Sequence, residues 1–227
     1  MKQQPIQWVK PPKAEQEPSS TRLVLTMAVA GFLSGLLTIS IYLVTLPTIT
    51  AYKIESLRQA VFRVLPNTVS IQEYVYRDGQ LRAVKDGEKA KDEASIYGGF
   101  DIRQNMLGYA IAAEGAGFQD TIRLLYGYDK VQKRIVGMEV LDSRETPGLG
   151  DKIYKDLDFV ANFKALNPLP EIKAVKKGQR TADNQIDAIT GATISSVAIV
   201  KIINQSNALW LPRIHATHGH CFRSLSC

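Results

Sequence analysis

The stretch DAITGATISSVAIV, residues 187–200, sets the reading of the chain. A short apolar run at residues 186–189 leads into Thr190, Gly191, Ala192 and Thr193, and apolar residues at helical spacing follow. The pattern predicts a strand, a tight turn and a helix over residues 195–209 that ends near Pro212. Gly191 lets the backbone turn and lets another group approach closely. Thr193 then stands near the first helical turn, where N–H groups lack intrahelical partners and the dipole favours an anion. The residues alone leave two readings open: a phosphate site, or a Thr190 or Thr193 N-cap behind a plain glycine turn. Neither G-x-x-x-x-G-K-[ST] nor G-x-G-x-x-G occurs in the stretch.

Upstream, SRETPGLG at residues 143–150 places Pro147 and Gly148 at the two central positions of a turn. A plain surface turn explains those two residues but not Glu145, Leu149 or Gly150; Glu145 is suited to accept hydrogen bonds or to hold the loop. Residues 51–64 have helical apolar spacing and stop before Pro66, and residues 69–85 read as two strands around an Asp78–Gly79 turn. Residues 107–113, 121–128 and 135–141 are further strands, separated by EGAGFQ and YDKVQK. EGAGFQ lacks the third glycine of a dinucleotide fingerprint and reads as a hairpin turn. Residues 151–163 read as a helix. Helices mixed with a meander of strands predict an α+β fold rather than a doubly wound sheet.

Residues 23–46, LVLTMAVAGFLSGLLTISIYLVTL, carry no charge and exceed the roughly 20 apolar residues needed to cross a bilayer. The run is too long for a signal peptide and has no A-x-A-like end, so it reads as an uncleaved anchor. Its uninterrupted apolar surface argues against a buried helix of a soluble domain. Lys2, Lys10, Lys13 and Arg22 precede the span and Lys53, Arg58 and Arg63 follow it, so charge barely chooses an orientation. Tyr42 and Tyr52 suit the membrane interface. Residues 1–21, with Pro5, Pro11, Pro12 and Pro18, read as a flexible tail.

The 227 residues are 45% hydrophobic with a net charge of +6, which fits one cored domain plus an appendage. The basic residues are spread out and no nucleic-acid motif accompanies them, which argues against nucleic-acid binding. Cys221 and Cys227 are the chain's two cysteines, which excludes a disulfide framework and a thiolate metal site in the core. His215, His218, His220 and Cys221 are ligand-type residues for zinc or copper. They follow the last expected helix without an apolar pattern, so residues 211–227 are expected to be a disordered tail with no metal.

Taken together, the two segments resemble the FMN-binding domain family, and closely the G subunit of Rnf-type electron-transport complexes. The C subunit of the sodium-pumping quinone reductase is the next nearest. The family motif D-x-x-[ST]-G-A-[TS] stands here as Asp187, Thr190, Gly191, Ala192 and Thr193, and the E-T-P-G-L-G loop as residues 145–150. GYAIAAEGAGFQDTIRLLYGYD, residues 108–129, and the anchor extend the resemblance over roughly residues 23–209. The resemblance implies FMN attached through its phosphate to Thr193, with Thr190, Gly191 and Ala192 shaping the site. It implies that Glu145, Thr146, Gly148 and Leu149 lie at the cofactor and that Asp187 serves recognition by a flavin transferase. It further implies a cytoplasmic tail (1–22), a transmembrane helix (23–46) and an extracytoplasmic FMN-binding domain (50–210), single-pass in a bacterial inner membrane. The expected role is electron carriage inside a complex that links ferredoxin and NAD chemistry to ion movement, without independent turnover and without a catalytic acid or base. The alternatives are a membrane-anchored scaffold in which TGAT is only a helix cap, and a flavin subunit of a quinone reductase or a flavin-dependent regulator.

Overall fold

The structure, a computed structural model, describes residues 19–85 and 93–221, the last five of these by their backbone alone. Most of the N-terminal tail, with Lys2, Lys10 and Lys13, lies outside the described residues, as does Cys227. The chain divides into two units, Met1–Tyr52 and Lys53–Cys227.

The first unit consists, where described, of the greater part of helix α1 (Ser20–Val64). Its apolar side chains are exposed, Met27 and Val44 by about three quarters. Several of its hydroxyls bond back along the helix: Thr38 Oγ1 donates to Ser34 O and Ser40 Oγ to Leu36 O, both at 2.8 Å. These bonded hydroxyls therefore add no unpaired donor to the apolar surface. Among the described residues α1 is the one helix long and apolar enough to cross a membrane. The sequence suggests a separate helix after LPTIT, but α1 runs on through Pro47. Around this proline, which lacks an N–H, the Thr45 and Thr50 hydroxyls donate to the carbonyls of Ile41, Tyr42 and Leu46.

The second unit is built on an antiparallel sheet of β1 (Ser70–Arg77), β2 (Gln80–Ala83), β3 (Ser95–Phe100), β4 (Met106–Ala116), β5 (Thr121–Asp129) and β6 (Arg134–Asp142). Their order is β2-β1-β3-β4-β5-β6, a near-meander. Asp78 and Gly79 turn β1 into β2 with φ of 51° and 80°, the tight hairpin that their sequence predicts. Side chains alternate across β5: Leu124, Tyr126 and Tyr128 face one core, and Leu125 faces the other. The first core is completed by helix α4 (Thr193–Cys221) through Ile199, Ile202, Ile203, Trp210, Leu211 and Ile214. The second is closed by Ala60, Val61 and Val64 at the end of α1 and by Leu65. On the α4 side the Tyr126 hydroxyl bonds Ser206 Oγ and Asn207 Oδ1, both at 2.9 Å.

Between β6 and α4 lie α2 (Lys152–Lys155), α3 (Leu157–Ala161), a 3-10 turn (Asn162–Lys164), and a parallel pair of β7 (Lys173–Lys176) and β8 (Gln185–Ala188). The helix expected over residues 151–163 breaks at Asp156, whose backbone is extended and whose carboxylate caps α3 by accepting from the N–H groups of Asp158 and Phe159. Strands β3 and β7 have no counterpart in the sequence reading. Helix α4 also overrides the expected tail: it passes Pro212, and Leu211 and Ile214 are buried in the core. Apolar residues at 203, 210, 211 and 214 continue the helical period beyond the proline, whose own side is exposed. His215 lies on this helix, 3.3 Å from the Tyr128 hydroxyl, and no metal-type cluster forms among the described residues. The side chains of His218, His220 and Cys221 lie outside the described set.

Candidate functional site

β8 delivers the chain into a turn in which the Ala192 N–H donates to Ile189 O at 3.0 Å. Gly191 has φ +81° at the third position, a type II geometry that L side chains resist. α4 starts at Thr193. The Ser196 N–H donates to Ala192 O at 3.0 Å, the first helical bond, and the Ser196 hydroxyl donates to the same carbonyl at 2.9 Å. The Ile189 N–H donates to Ser196 Oγ at 3.1 Å, so one buried serine clamps the strand end to the helix start.

Thr190 and Thr193 are both exposed, and neither hydroxyl has a hydrogen-bond partner among the described residues. Neither therefore caps the helix by its side chain, the alternative the sequence leaves open. The N–H groups of Thr193, Ile194 and Ser195 also find no protein acceptor among the described residues. A free hydroxyl beside unpaired helix N–H groups fits a phosphate ester.

The loop at residues 145–150 forms a second type II turn, with Leu149 N–H donating to Thr146 O at 3.2 Å and Gly148 at φ +79°. Glu145 joins this loop to the first motif. Its Oε2 accepts from the Ser195 hydroxyl at 2.7 Å, and its Oε1 accepts from the N–H groups of Phe118 at 2.8 Å and Gln119 at 3.0 Å. Glu145 is only 5% exposed. Two glycines leave it room: a Cβ on Gly150 would lie 2.6 Å from Oε2, and one on Gly117 would collide with Oε1. Burial pushes the carboxyl's pKa up, but the Gln119 N–H, the Ser195 hydroxyl, and the Phe118 and Asp120 N–H groups outweigh it and hold it below the usual glutamate value. Glu145 thus stays ionised as a brace between three segments, with both oxygens engaged by protein donors.

The Thr146 hydroxyl donates to Gln119 Oε1 at 2.7 Å. Leu149, Phe118 and Ile194 are 51%, 62% and 61% exposed. Each lies at or next to a residue that bonds or packs against Glu145, which gives the Glu145 brace three exposed apolar neighbours. Asp187 is half-buried, and its Oδ1 accepts from Gly178 N–H at 2.9 Å. With Thr190, Lys152 and Lys177 it lines a cleft of about 320 Å³. A larger cleft of about 580 Å³, lined by Arg63, Asp129, Met138 and Lys164 among others, contains none of the motif residues.

Glu145 thus ties the loop at residues 145–150 to Ser195, two positions after the first motif ends, while Asp187 and Thr190 line the neighbouring cleft. Sequence reading misses Ser195, Phe118 and Gln119. A buried hydroxyl two residues after Thr193 and a hairpin with G-x-G spacing carry no signal until Glu145 is seen between them.

The FMN-binding domain family matches residues 117–207, from the hairpin glycine through the first half of α4. The G subunit of the ion-translocating oxidoreductase complex of Methanosarcina acetivorans is 28% identical over 82% of this chain and 92% of its own. That of Vibrio vulnificus is 30% identical over 80% of this chain and 85% of its own. Among solved structures, the C subunit of the Na(+)-translocating NADH-quinone reductase of Parabacteroides distasonis shares the fold, with a TM-score of 0.58 over 73% of this chain and 95% of its own at 20% identity. With a relative this similar along most of both chains, and with the two motif loops joined in one site, the chain belongs to the G-subunit family of ion-translocating oxidoreductase complexes.

Proposed function

We propose that this protein is the FMN-carrying electron-transfer subunit of a membrane complex, with the flavin bound through its phosphate to Thr193. The observation that carries this reading is the free Thr193 hydroxyl beside the unpaired N–H groups that open α4. Those N–H groups and the helix dipole meet the charge left on an esterified phosphate. The Gly191 turn keeps the hydroxyl outside the core, and Ser196 fixes the helix start beneath it. The loop at residues 145–150, held by Glu145, receives the ring. FMN supplies one- or two-electron chemistry, so the chain needs no general acid or base. The protein holds and orients the carrier, and turnover belongs to the complex whose other subunits pass it electrons in the ferredoxin and NAD range.

In this reading residues 23–46 span the bacterial inner membrane once, residues 1–22 stay in the cytoplasm, and the domain at 50–210 lies outside. A covalent tether serves best where no pool of free FMN refills an empty site, and long domains translocate largely regardless of flanking charge. A flavin transferase then matures the protein, and Asp187, beside the cleft at Thr190, belongs to the surface that it reads.

The test is mass spectrometry of the full chain co-expressed with a flavin transferase. Thr193→Ala is expected to abolish covalent FMN, whereas Thr190→Ala is expected to retain part of it. FMN mapped to Thr190, Ser195 or Ser196 overturns the assignment. A reporter fused after Leu209 that is active only in the cytoplasm overturns the orientation. Co-purifying subunits separate an ion-translocating ferredoxin complex from a quinone reductase.

A further inference from the structure

We propose that Gln119 is a flavin-binding residue: its carboxamide NH2 donates to the carbonyl edge of the isoalloxazine ring and raises the flavin's potential. The inference rests on the reading that FMN is carried by Thr193 against the loop at residues 145–150.

Gln119 is exposed yet held at two points. Its N–H donates to buried Glu145 at 3.0 Å, which fixes the backbone. Its Oε1 receives the Thr146 hydroxyl at 2.7 Å, which fixes the side chain. A carboxamide has one acceptor oxygen and two N–H donors. With the oxygen taken by Thr146, the NH2 group points the other way, and no acceptor meets it among the described residues. An exposed glutamine without a ligand has no need of such restraint, since freezing a long side chain costs rotamer entropy. The restraint makes sense if the amide is oriented for a ligand before it binds.

The ring brings what the NH2 lacks. Phe118, bonded to Glu145 through its N–H, and Leu149, in the loop that Glu145 opens, offer exposed apolar surface suited to the flat ring. The ring's pyrimidine edge carries carbonyl oxygens that accept hydrogen bonds. Reduction adds electron density at that edge, and a fixed donor stabilises the electron-rich form more than the oxidised one. Loss of the donor therefore moves the midpoint potential to more negative values. Thr146, which aims the amide, acts through Gln119 as a positioning residue.

The experiment uses the full chain, co-expressed with a flavin transferase and purified in detergent. Covalent flavin is measured by mass, and the midpoint potential by spectroelectrochemical titration. Gln119→Leu and Gln119→Glu are expected to keep the FMN mass on Thr193 and to shift the potential negative, the glutamate further because it adds charge as well. Thr146→Val is expected to give a smaller negative shift that vanishes in the Gln119→Leu background, since both changes remove one interaction. An unchanged potential in Gln119→Leu, or a Thr146→Val shift that persists without Gln119, overturns the proposal. Absence of flavin from the unsubstituted protein instead overturns the attachment reading, and this inference with it.

Discussion

Replacing Glu145 by glutamine keeps the brace's shape and removes its charge. The glutamine oxygen can still accept from the Phe118 and Gln119 N–H groups, while its NH2 turns to Ser195 Oγ, which becomes the acceptor. Each charge-assisted bond, worth about 1.5–3 kcal/mol, becomes a neutral one worth about 0.5–1.5. Over these three bonds the loss is about 3 kcal/mol, and the cheaper burial of a neutral amide returns part of it, leaving about 2 kcal/mol. For a domain of this size that lowers the Tm by roughly 4–8 °C. The sign with pH follows from the depressed carboxyl pKa. The stabilisation is complete above the unfolded glutamate pKa and is lost as pH falls through the lower, folded value. Thermal unfolding of the full chain in detergent, followed by circular dichroism at neutral and acid pH, reads both effects. A Tm equal to that of the unsubstituted protein at neutral pH, or a gap that does not narrow on acidification, refutes the brace.

Gly150→Ala sets a Cβ 2.6 Å from Glu145 Oε2 and 2.7 Å from its Cβ; overpacking of this kind costs about 1–3 kcal/mol, readable by urea denaturation. Ser196→Ala leaves the Ile189 N–H without its acceptor inside the core, at about 1–3 kcal/mol in the same assay. At Gly191 a Cβ meets open space, so Gly191→Ala pays only for φ +81°, about 1–2 kcal/mol; its sharper effect is expected in a lower fraction of protein carrying flavin, measured by in-gel fluorescence.

Period and turn chemistry make much of the fold legible. The turn-like EGAGFQ and YDKVQK bound β4, β5 and β6, Asp78–Gly79 marks the β1–β2 turn, and the apolar run at 23–46 marks the long helix. β3 stays hidden because SIYGGF puts two glycines in a six-residue strand, poor strand formers that pairing with β1 and β4 overrides. β7, KAVK, has two apolar residues between lysines and exists through its parallel pairing to β8. Pro212 and Pro47 look like helix limits in the sequence, whereas burial of Leu211 and Ile214 carries α4 past the first. At the site, the motif residues are readable one by one. What joins them, a carboxylate reaching Ser195 some 50 positions away and a hairpin 26 and 27 positions back, is a property of the folded sheet and not of any local window.

The same brace has a consequence for how the domain opens. Phe118 and Gln119 sit at an exposed hairpin tip, where amide protons ordinarily exchange with solvent after slight local fraying. Here both amides are anchored on a carboxylate that also holds the opening turn of α4. Their protons can leave only when hairpin, loop and helix part company. In a deuterium-exchange experiment these two surface amides should therefore report the same slow opening as the interior strands, a pair of solvent-side probes for a motion of the core.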